Sequence, residues 1–261
     1  MTTKNVPATT GATPLPVALQ EAFMADAGQG LEEASREDFA IPFLNVLQSL
    51  SPQADADGDA YVDGAKPGMI FNNVTQEIYD GAEGIVVVPC HFEKTYNEFV
   101  PRDAGGGWRG SYDSKEAADE ACAPGNEIVD TANHYLLYQS ADGTWQPALL
   151  SCTSTKLKAS RQWNAKMRLI QHPKAEGGSF IPATFAQTWI VKTIRTENQH
   201  GKFYIIGTEY VGLVASSDLY AAAKAFRESV QSGVSKADFN ATEGDDTPTG
   251  SSGSTEGGGE Y

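Results

Sequence analysis

The pattern of apolar and polar positions predicts a β-rich domain with helices at its margins. Apolar and β-branched runs bounded by Gly, Pro, Asn and Asp predict strands at residues 69–72, 85–100, 134–140, 145–152, 185–195 and 202–212. Helical spacing and capping residues predict helices at 17–25, 41–50, 114–122, 156–171 and from about 216 to 231. The core order is therefore a long strand, a hairpin, a helix and a second hairpin.

This element order predicts a mainly β fold with flanking helices. We expect an OB-fold-like core, a five-stranded Greek-key barrel with a helix between strands 3 and 4. A β-sandwich or a generic α+β sheet gives similar local patterns, so both stay open as alternatives.

Composition divides the chain into three segments. Residues 1–40 are rich in Thr, Ala, Pro and Gly and then acidic, which predicts a disordered N-terminal arm. Residues 41–236 hold most of the predicted elements, and we expect them to form one OB-fold-like domain. Residues 237–261 contain acidic and small polar residues without Lys or Arg, which predicts a disordered acidic tail. The candidate partner-binding residues of this tail are Asp238, Glu243, Asp245, Asp246, Glu256, Glu260 and Tyr261.

Charges are strongly segregated along the sequence. The chain has 19 basic and 34 acidic residues, a formal net charge of -15. Residues 147–207 nevertheless hold nine basic and two acidic residues, whereas the other 200 residues hold ten basic and 32 acidic ones. Blocks of opposite charge indicate a polyanion site or self-association. The basic block is therefore the first candidate interface.

The predicted helix at 156–171 separates its apolar and basic positions. At about 100° per residue, Trp163 falls on the side opposite Lys158, Arg161 and Arg168. The apolar side predicts a core contact for Trp163. The basic side has no acidic partner on the helix, which favours phosphate contact over an ordinary solvated face.

Single-stranded nucleic acid is bound by basic grooves and by aromatic rings on which bases stack, at about 1–3 kcal/mol per stack. Trp108 is the favoured ring because the glycines at 105–107 predict a flexible loop there. The expected DNA-binding residues are Lys94, Tyr96, Arg102, Trp108, Arg109, Tyr112, Lys156, Lys158, Arg161, Lys166, Arg168, Lys192, Arg195, Lys202 and Tyr204.

Sequence patterns typical of catalysis and metal binding are largely missing. Asp55, Asp57 and Asp59 are spaced as in a calcium loop, but Ala60 and Lys66 occupy the positions that require Gly and Glu. The chain has no Cys-x-x-Cys pair, Walker loop or H-E-x-x-H motif. We therefore expect no metal, no cofactor and no enzymatic activity, although a nuclease built from dispersed carboxylates stays open.

Membrane and export signals are also missing from the pattern. No apolar stretch approaches the roughly 18 residues of a membrane span, and the first ten residues contain no apolar signal region. The three cysteines are an odd number at wide spacing, which fits a reducing compartment. We expect a cytoplasmic protein with no membrane partner.

The layout resembles phage-encoded single-stranded DNA-binding proteins of the T7 type, the helix-destabilising proteins. The β-rich run at 85–100, the basic segment at 156–164 and the acidic tail at 238–261 carry this resemblance. The last residue is Tyr261, where the family usually has Phe. The resemblance implies an OB-fold core followed by a mobile acidic tail.

The resemblance also implies a function. Such a protein coats and protects single-stranded DNA during phage replication, recombination and repair in the host cytoplasm. Its acidic tail would recruit phage or host replication proteins, such as polymerase or helicase/primase. The tail would also compete with DNA for the basic groove at high effective concentration. A homodimer stays open, and the alternative functions are a metal-dependent nuclease or recombination enzyme and a virion or scaffold assembly protein.

Overall fold

A computed structural model of the chain describes residues 16–27, 29–33, 41–199, 201–233 and 239. It separates two units, residues 1–39 and 40–261. The first unit contains helix α1 (Val17–Ala25), which confirms the helix predicted there and buries no side chain. Residues 1–15, 28 and 34–40 of the predicted arm lie outside the described residues.

The second unit contains the predicted elements in the predicted order, except that residues 41–50 are not helical and several short strands are added. Its strands are β1 (Leu44–Val46), β2 (Ile70–Asn72), β3 (Ile78–Tyr79), β4 (Ile85–Phe99), β5 (Trp108–Tyr112), β6 (Glu127–Gln139), β7 (Trp145–Thr153), β8 (His172–Pro173), β9 (Ser179–Phe180), β10 (Gln187–Asn198) and β11 (Gly201–Leu213). Its helices are α2 (Lys115–Ala121), α3 (Lys156–Leu169) and α4 (Ser217–Gln231). The mainly β class with flanking helices is confirmed.

Strand β4 is the centre of a six-stranded antiparallel sheet. The strand order is β11-β10-β4-β6-β7, and β5 pairs with the C-terminal part of β4. Near its start, β4 has β10 on one side and β6 on the other, because Val87 pairs with both Trp189 and Tyr138. Strands β1, β2 and β3 form a separate small sheet, and β8 pairs with β9.

The outer strands β7 and β11 do not pair with each other within the described residues, and residues 42–48 bridge them. Phe43 forms a parallel bridge with Leu149 of β7, and the Leu149 amide donates to the Pro42 carbonyl over 2.8 Å. On the other side, Gln48 acts in place of a neighbouring strand. Its side-chain nitrogen donates to the Tyr204 carbonyl and its side-chain oxygen accepts from the Tyr204 amide, both at 2.9 Å. The predicted closed barrel is therefore not found in this part of the chain, and the OB-fold is not confirmed.

The helix predicted at residues 41–50 is wrong, because this segment is extended and contains β1. Phe43, Leu44, Val46 and Leu47 are each at most 2% exposed, so the segment buries side chains on both of its faces. A short continuous apolar run does not distinguish a buried helix from a buried strand. Here the pairing of β1 with β2 decides in favour of the strand.

Helix α3 contacts both β7 and β11 and covers the space between them. The Trp163 side chain is fully buried, which confirms its predicted place in the core. Its ring stacks on His134 of β6 with centroids 4.6 Å apart and meets Trp189 of β10 edge-on at 6.2 Å. The Ser160 hydroxyl lies 2.7 Å from His134 Nε2. These contacts fix which sides of α3 face solvent.

Replacing Gln48 with Ala tests the bridge between residues 42–48 and β11. The substitution leaves two backbone groups of Tyr204 without their partner, so we expect the free energy of unfolding to fall by about 1–3 kcal/mol. Urea denaturation measures this change. Gln231→Ala, at the exposed end of α4, is the control and should change stability by less than about 0.5 kcal/mol. A Gln48→Ala protein as stable as the wild type would contradict the bridging role.

Candidate nucleic-acid interface

A groove runs between α3 and the β10–β11 hairpin; we call it the α3 groove. It consists of two neighbouring cavities of about 340 Å³ each, which meet at Thr155. The cavity at the start of α3 is lined by Val46, Gln48, Ser49, Leu50, Thr153, Ser154, Thr155, Lys156, Asn198, Gly201, Lys202, Phe203 and Tyr204. The cavity along the helix is lined by Thr155, Lys158, Ala159, Gln162, Lys166, Ile194, Ile205, Ile206, Gly207 and Thr208.

Four lysines give the α3 groove a positive charge: Lys156, Lys158, Lys166 and Lys202. Neither Asp nor Glu occurs among the described residues that line it. Lys166 is oriented by a hydrogen bond from Nζ to the Thr208 carbonyl over 3.0 Å. Lys158 and Lys202 form no ion pair with any described residue. The groove is therefore locally cationic in a chain whose net charge is -15.

Apolar side chains share the groove with the lysines, and sequence reasoning missed them. Leu50 is 92% exposed and Ile194 is 51% exposed, while Phe203 is half-buried. Leu50 lay in the segment predicted as helix, and no local pattern distinguishes Ile194 or Phe203 from ordinary strand residues. An aromatic ring beside lysines is the combination that stacks on bases and contacts phosphates of a single strand, and Phe203 supplies such a ring in this groove.

The start of α3 forms one end of the groove. Ser154 has a positive φ of 46°, and Thr155 follows as the N-cap without a side-chain capping hydrogen bond. The first turn contains no acidic residue. The partial positive charge of the helix N-terminus therefore adds to that of Lys156 in this cavity.

The basic side of α3 is divided between two surfaces. Lys158 lines the α3 groove, whereas Arg168 lines a third cavity of about 320 Å³ on the opposite flank of the helix. Arg161 is exposed and lies between them on the helical wheel. None of these three side chains forms an ion pair with a described residue. Helix α3 thus presents cations to two separate openings.

Tyr96 lies on the part of β4 that pairs with β5, and Lys94 lies just before it, opposite Ala132 of β6; neither lies on the part that pairs with β10. The Lys94 ammonium forms a 3.2 Å ion pair with Asp130 and lies 4.9 Å from the centre of the Tyr96 ring. These contacts raise the pKa of Lys94, with the hydrogen bond to Tyr96 as the largest cause. Its charge is already compensated, unlike that of Lys158.

The residues on β5 and in the turn before it have an acidic neighbour. The Tyr112 hydroxyl donates to Glu98 over 2.6 Å, and this hydrogen bond is the largest cause of the lowered pKa of Glu98. Glu98 also accepts from the Ala123 amide over 2.9 Å. Arg102 and Arg109 are exposed in the same region. Of the predicted DNA-binding residues, Lys156, Lys158, Lys166, Lys202 and Tyr204 line the α3 groove, whereas those of β4, β5 and the turn before β5 do not.

Trp108 is not in a flexible loop, so this part of the sequence interpretation is wrong. It begins β5 and pairs with Phe99, which extends the sheet up to the preceding glycines. Its half-buried ring lies 6.1 Å from that of Phe239. The ring is therefore partly covered by the protein itself.

The predicted residues of β10 and β11 have three different environments. Lys192 forms a 2.7 Å ion pair with Glu209, which lowers the pKa of Glu209. Arg195 is exposed and has no ion pair with a described residue. Tyr204 lines the α3 groove, but its ring also packs on Gly68, where an added Cβ would collide with it.

The seven acidic and aromatic tail residues, Asp238, Glu243, Asp245, Asp246, Glu256, Glu260 and Tyr261, lie outside the described residues. Phe239, within the same predicted tail, is described and is 9% exposed. Its ring meets Phe43 edge-on at 5.6 Å. The segment thus contacts the domain through at least this one side chain.

The sequence profile of the Pam3 phage gp34-like protein matches residues 9–236. The chain belongs to the Pam3 phage gp34-like family. This membership agrees with the phage origin that the sequence indicated, at the level of a phage protein family. No curated protein and no solved structure matches the chain.

Two further findings concern the part of the chain that the structure describes. No helix there is long and apolar enough to cross a membrane. No group of three or more His, Cys, Asp or Glu side chains is arranged there so that it could hold a metal ion.

His134 lies under α3 and is 1% exposed. Burial disfavours its charged form and lowers its pKa from 6.5 to about 3. The imidazole that supports Trp163 is therefore neutral at pH 7.

This burial predicts an acid-sensitive fold. The unfolded chain binds a proton at His134 near pH 6.5, whereas the folded protein resists it until about pH 3. The contribution of His134 to stability is thus complete above about pH 6.5 and is lost as the pH falls, at up to about 1.4 kcal/mol per pH unit. In urea denaturation between pH 7 and 4.5, His134→Gln should lose about 2–3 kcal/mol less than the wild type. His172→Gln is the control and should follow the wild type; parallel curves for all three proteins would refute the assignment.

Proposed function

We propose that this phage protein binds single-stranded DNA without sequence preference through the α3 groove. The observation that carries the proposal is the set of four lysines, Lys156, Lys158, Lys166 and Lys202, in a groove whose described lining contains no carboxylate. Phosphate contacts are local, and the release of counterions from the strand supplies much of the affinity. The net negative charge of the chain therefore does not prevent binding at this groove.

The chemistry of the groove favours binding that is independent of sequence. Lysine contacts phosphate as a point charge, and phosphate contacts carry no direct sequence information. The exposed parts of Leu50, Ile194 and Phe203 offer apolar surface that any base can contact. The groove therefore recognises the charge and the unstacked bases that all single strands share.

We infer further that the main sheet is an opened relative of the OB-fold. The order β4, β6, β7, α3, β10, β11 has the helix between the third and fourth strands, as in that fold. Residues 42–48 occupy the place where β7 and β11 would otherwise pair. OB-folds bind oligonucleotides at the face of strands 2 and 3 and at the loops between strands 1 and 2 and strands 4 and 5. The β10–β11 turn, which corresponds to the second of these loops, borders the α3 groove.

The biological role that we propose is the coating and protection of single strands during phage replication, recombination and repair. In this role the acidic tail recruits replication proteins and competes with DNA for the groove. Residues 240–261 contain five acidic and no basic residues, so the tail is negatively charged like the DNA that it would displace.

The double variant Lys158→Ala/Lys202→Ala tests the groove. Each lost phosphate contact should reduce the slope of log Kobs against log salt by about 0.7 on single strands, so the pair should reduce it by about 1.4. Fluorescence anisotropy of a labelled oligo-dT across a salt titration measures the slope. Lys115→Ala/Lys224→Ala, which removes exposed lysines from α2 and α4, is the matched control. Equal slopes for the two double variants would place the DNA elsewhere.

Two further arms of this assay address the alternative functions. Loss of labelled strand after addition of Mg²⁺ would indicate a nuclease. Salt-dependent oligomers formed without DNA would indicate an assembly protein whose basic and acidic regions pair between subunits.

Truncation after Phe239 tests the competition by the tail and keeps the contact of this residue with Phe43. Removing residues 240–261 should tighten binding of oligo-dT, and the gain should shrink as salt screens the tail. A full-length variant with Glu243, Asp245, Asp246, Glu256 and Glu260 replaced by their amides is the control for chain length and should behave like the truncation. Unchanged or weaker affinity in both proteins would overturn the competition.

A further inference from the structure

A cavity of about 320 Å³ lies between α3 and β4, on the flank of the helix away from the α3 groove. We call it the Phe92 cavity. Pro89, Phe92 and Met167 form its apolar part, and Asn164, Arg168 and Thr184 form its polar part. This volume falls within the range of small-molecule sites, which combine an apolar lining with a few polar groups.

The Phe92 ring is accessible from the cavity. Its side chain is 40% exposed although β4 is the central strand of the sheet, and its ring centre lies 5.0 Å from that of His134. Met167 beside it is 3% exposed and belongs to the core. An aromatic ring held by a rigid strand, with part of its surface uncovered, suits stacking by a planar group.

Two polar side chains of the cavity have hydrogen-bond donors that are not used by other described residues. Arg168 is exposed and forms no ion pair with a described residue, and the Asn164 amide forms no hydrogen bond with one. Burial lowers the pKa of both His91 and His134, the two imidazoles of the lining. Arg168 is the one Arg, Lys, Asp or Glu among the described lining residues, so its charge suits an anionic group.

We infer that the Phe92 cavity binds a nucleobase together with its attached phosphate. The base stacks on Phe92, Asn164 faces the polar edge of the base, and Arg168 contacts the phosphate. The inference rests on the proposed function, because the nucleotide belongs to a strand that leaves the α3 groove and crosses α3 at Arg161. One base of the strand would thus lie in the Phe92 cavity, separated by α3 from the bases in the α3 groove.

The test separates contacts to the base from contacts to the phosphate. Anisotropy is measured with labelled oligo-dT and with an abasic strand of the same length, for the wild type, Phe92→Leu and Phe92→Tyr. Phe92→Leu retains apolar bulk but loses the ring, so it should bind oligo-dT about 5- to 150-fold more weakly and the abasic strand unchanged. Phe92→Tyr should retain the wild-type affinity. Phe180→Leu is the control, since Phe180 is 43% exposed but does not line the cavity.

The outcomes distinguish this inference from the proposed function. If the wild type binds both strands and Phe92→Leu binds oligo-dT as well as the wild type does, the inference is wrong and the groove stands. An equal loss for both strands in Phe92→Leu also overturns it. If the wild type binds neither strand, both proposals fail. Competition with thymidine monophosphate shows whether the cavity takes a free nucleotide or a nucleotide within a strand. Displacement of oligo-dT by micromolar thymidine monophosphate would assign the cavity to free nucleotides, and the proposed course of the strand across α3 would be wrong.

Discussion

The packing of Trp163 between His134 and Trp189 is the contact on which the rest of the structure depends. It holds α3 against the sheet between β7 and β11, which do not pair with each other in the part of the chain that the structure describes. Truncating a fully buried Trp typically costs about 3–5 kcal/mol, a large part of the stability of a domain of this size. Without this contact α3 would not be held in place, and the α3 groove and the Phe92 cavity would both lose the residues of α3 that line them. Both candidate sites are therefore consequences of one buried ring.

The lysines predicted to bind DNA differ in the charges that surround them. Lys94 and Lys192 are compensated by Asp130 and Glu209, whereas Lys158 and Lys202 have no ion pair with a described residue. At physiological salt, screening limits the reach of exposed charges to about 8 Å. A strand bound in the groove, as we propose, would therefore respond to the nearby lysines much more than to the distant acidic residues, which reconciles a net charge of -15 with a polyanion ligand.

Local patterns predicted much of the fold, because β4, the two hairpins and α3 each carry their own signal. They failed at residues 41–50, where burial on both faces removes the alternation that distinguishes strand from helix. Gln48 and Tyr204 are 156 positions apart, and no local pattern predicts that a side-chain amide will replace a strand between them. The helical wheel identified Trp163 as the buried side of α3. It could not show that Lys158 and Arg168 border different openings, because β4 and β11 create those openings from distant parts of the chain.

The most direct test of the central claim is the affinity of the wild-type protein for a labelled oligo-dT, compared with a duplex of equal length across a salt titration. Binding through the α3 groove predicts tight, salt-sensitive binding to the single strand, weaker binding to the duplex and no loss of strand when Mg²⁺ is added. Failure to bind the single strand at low salt would contradict the account.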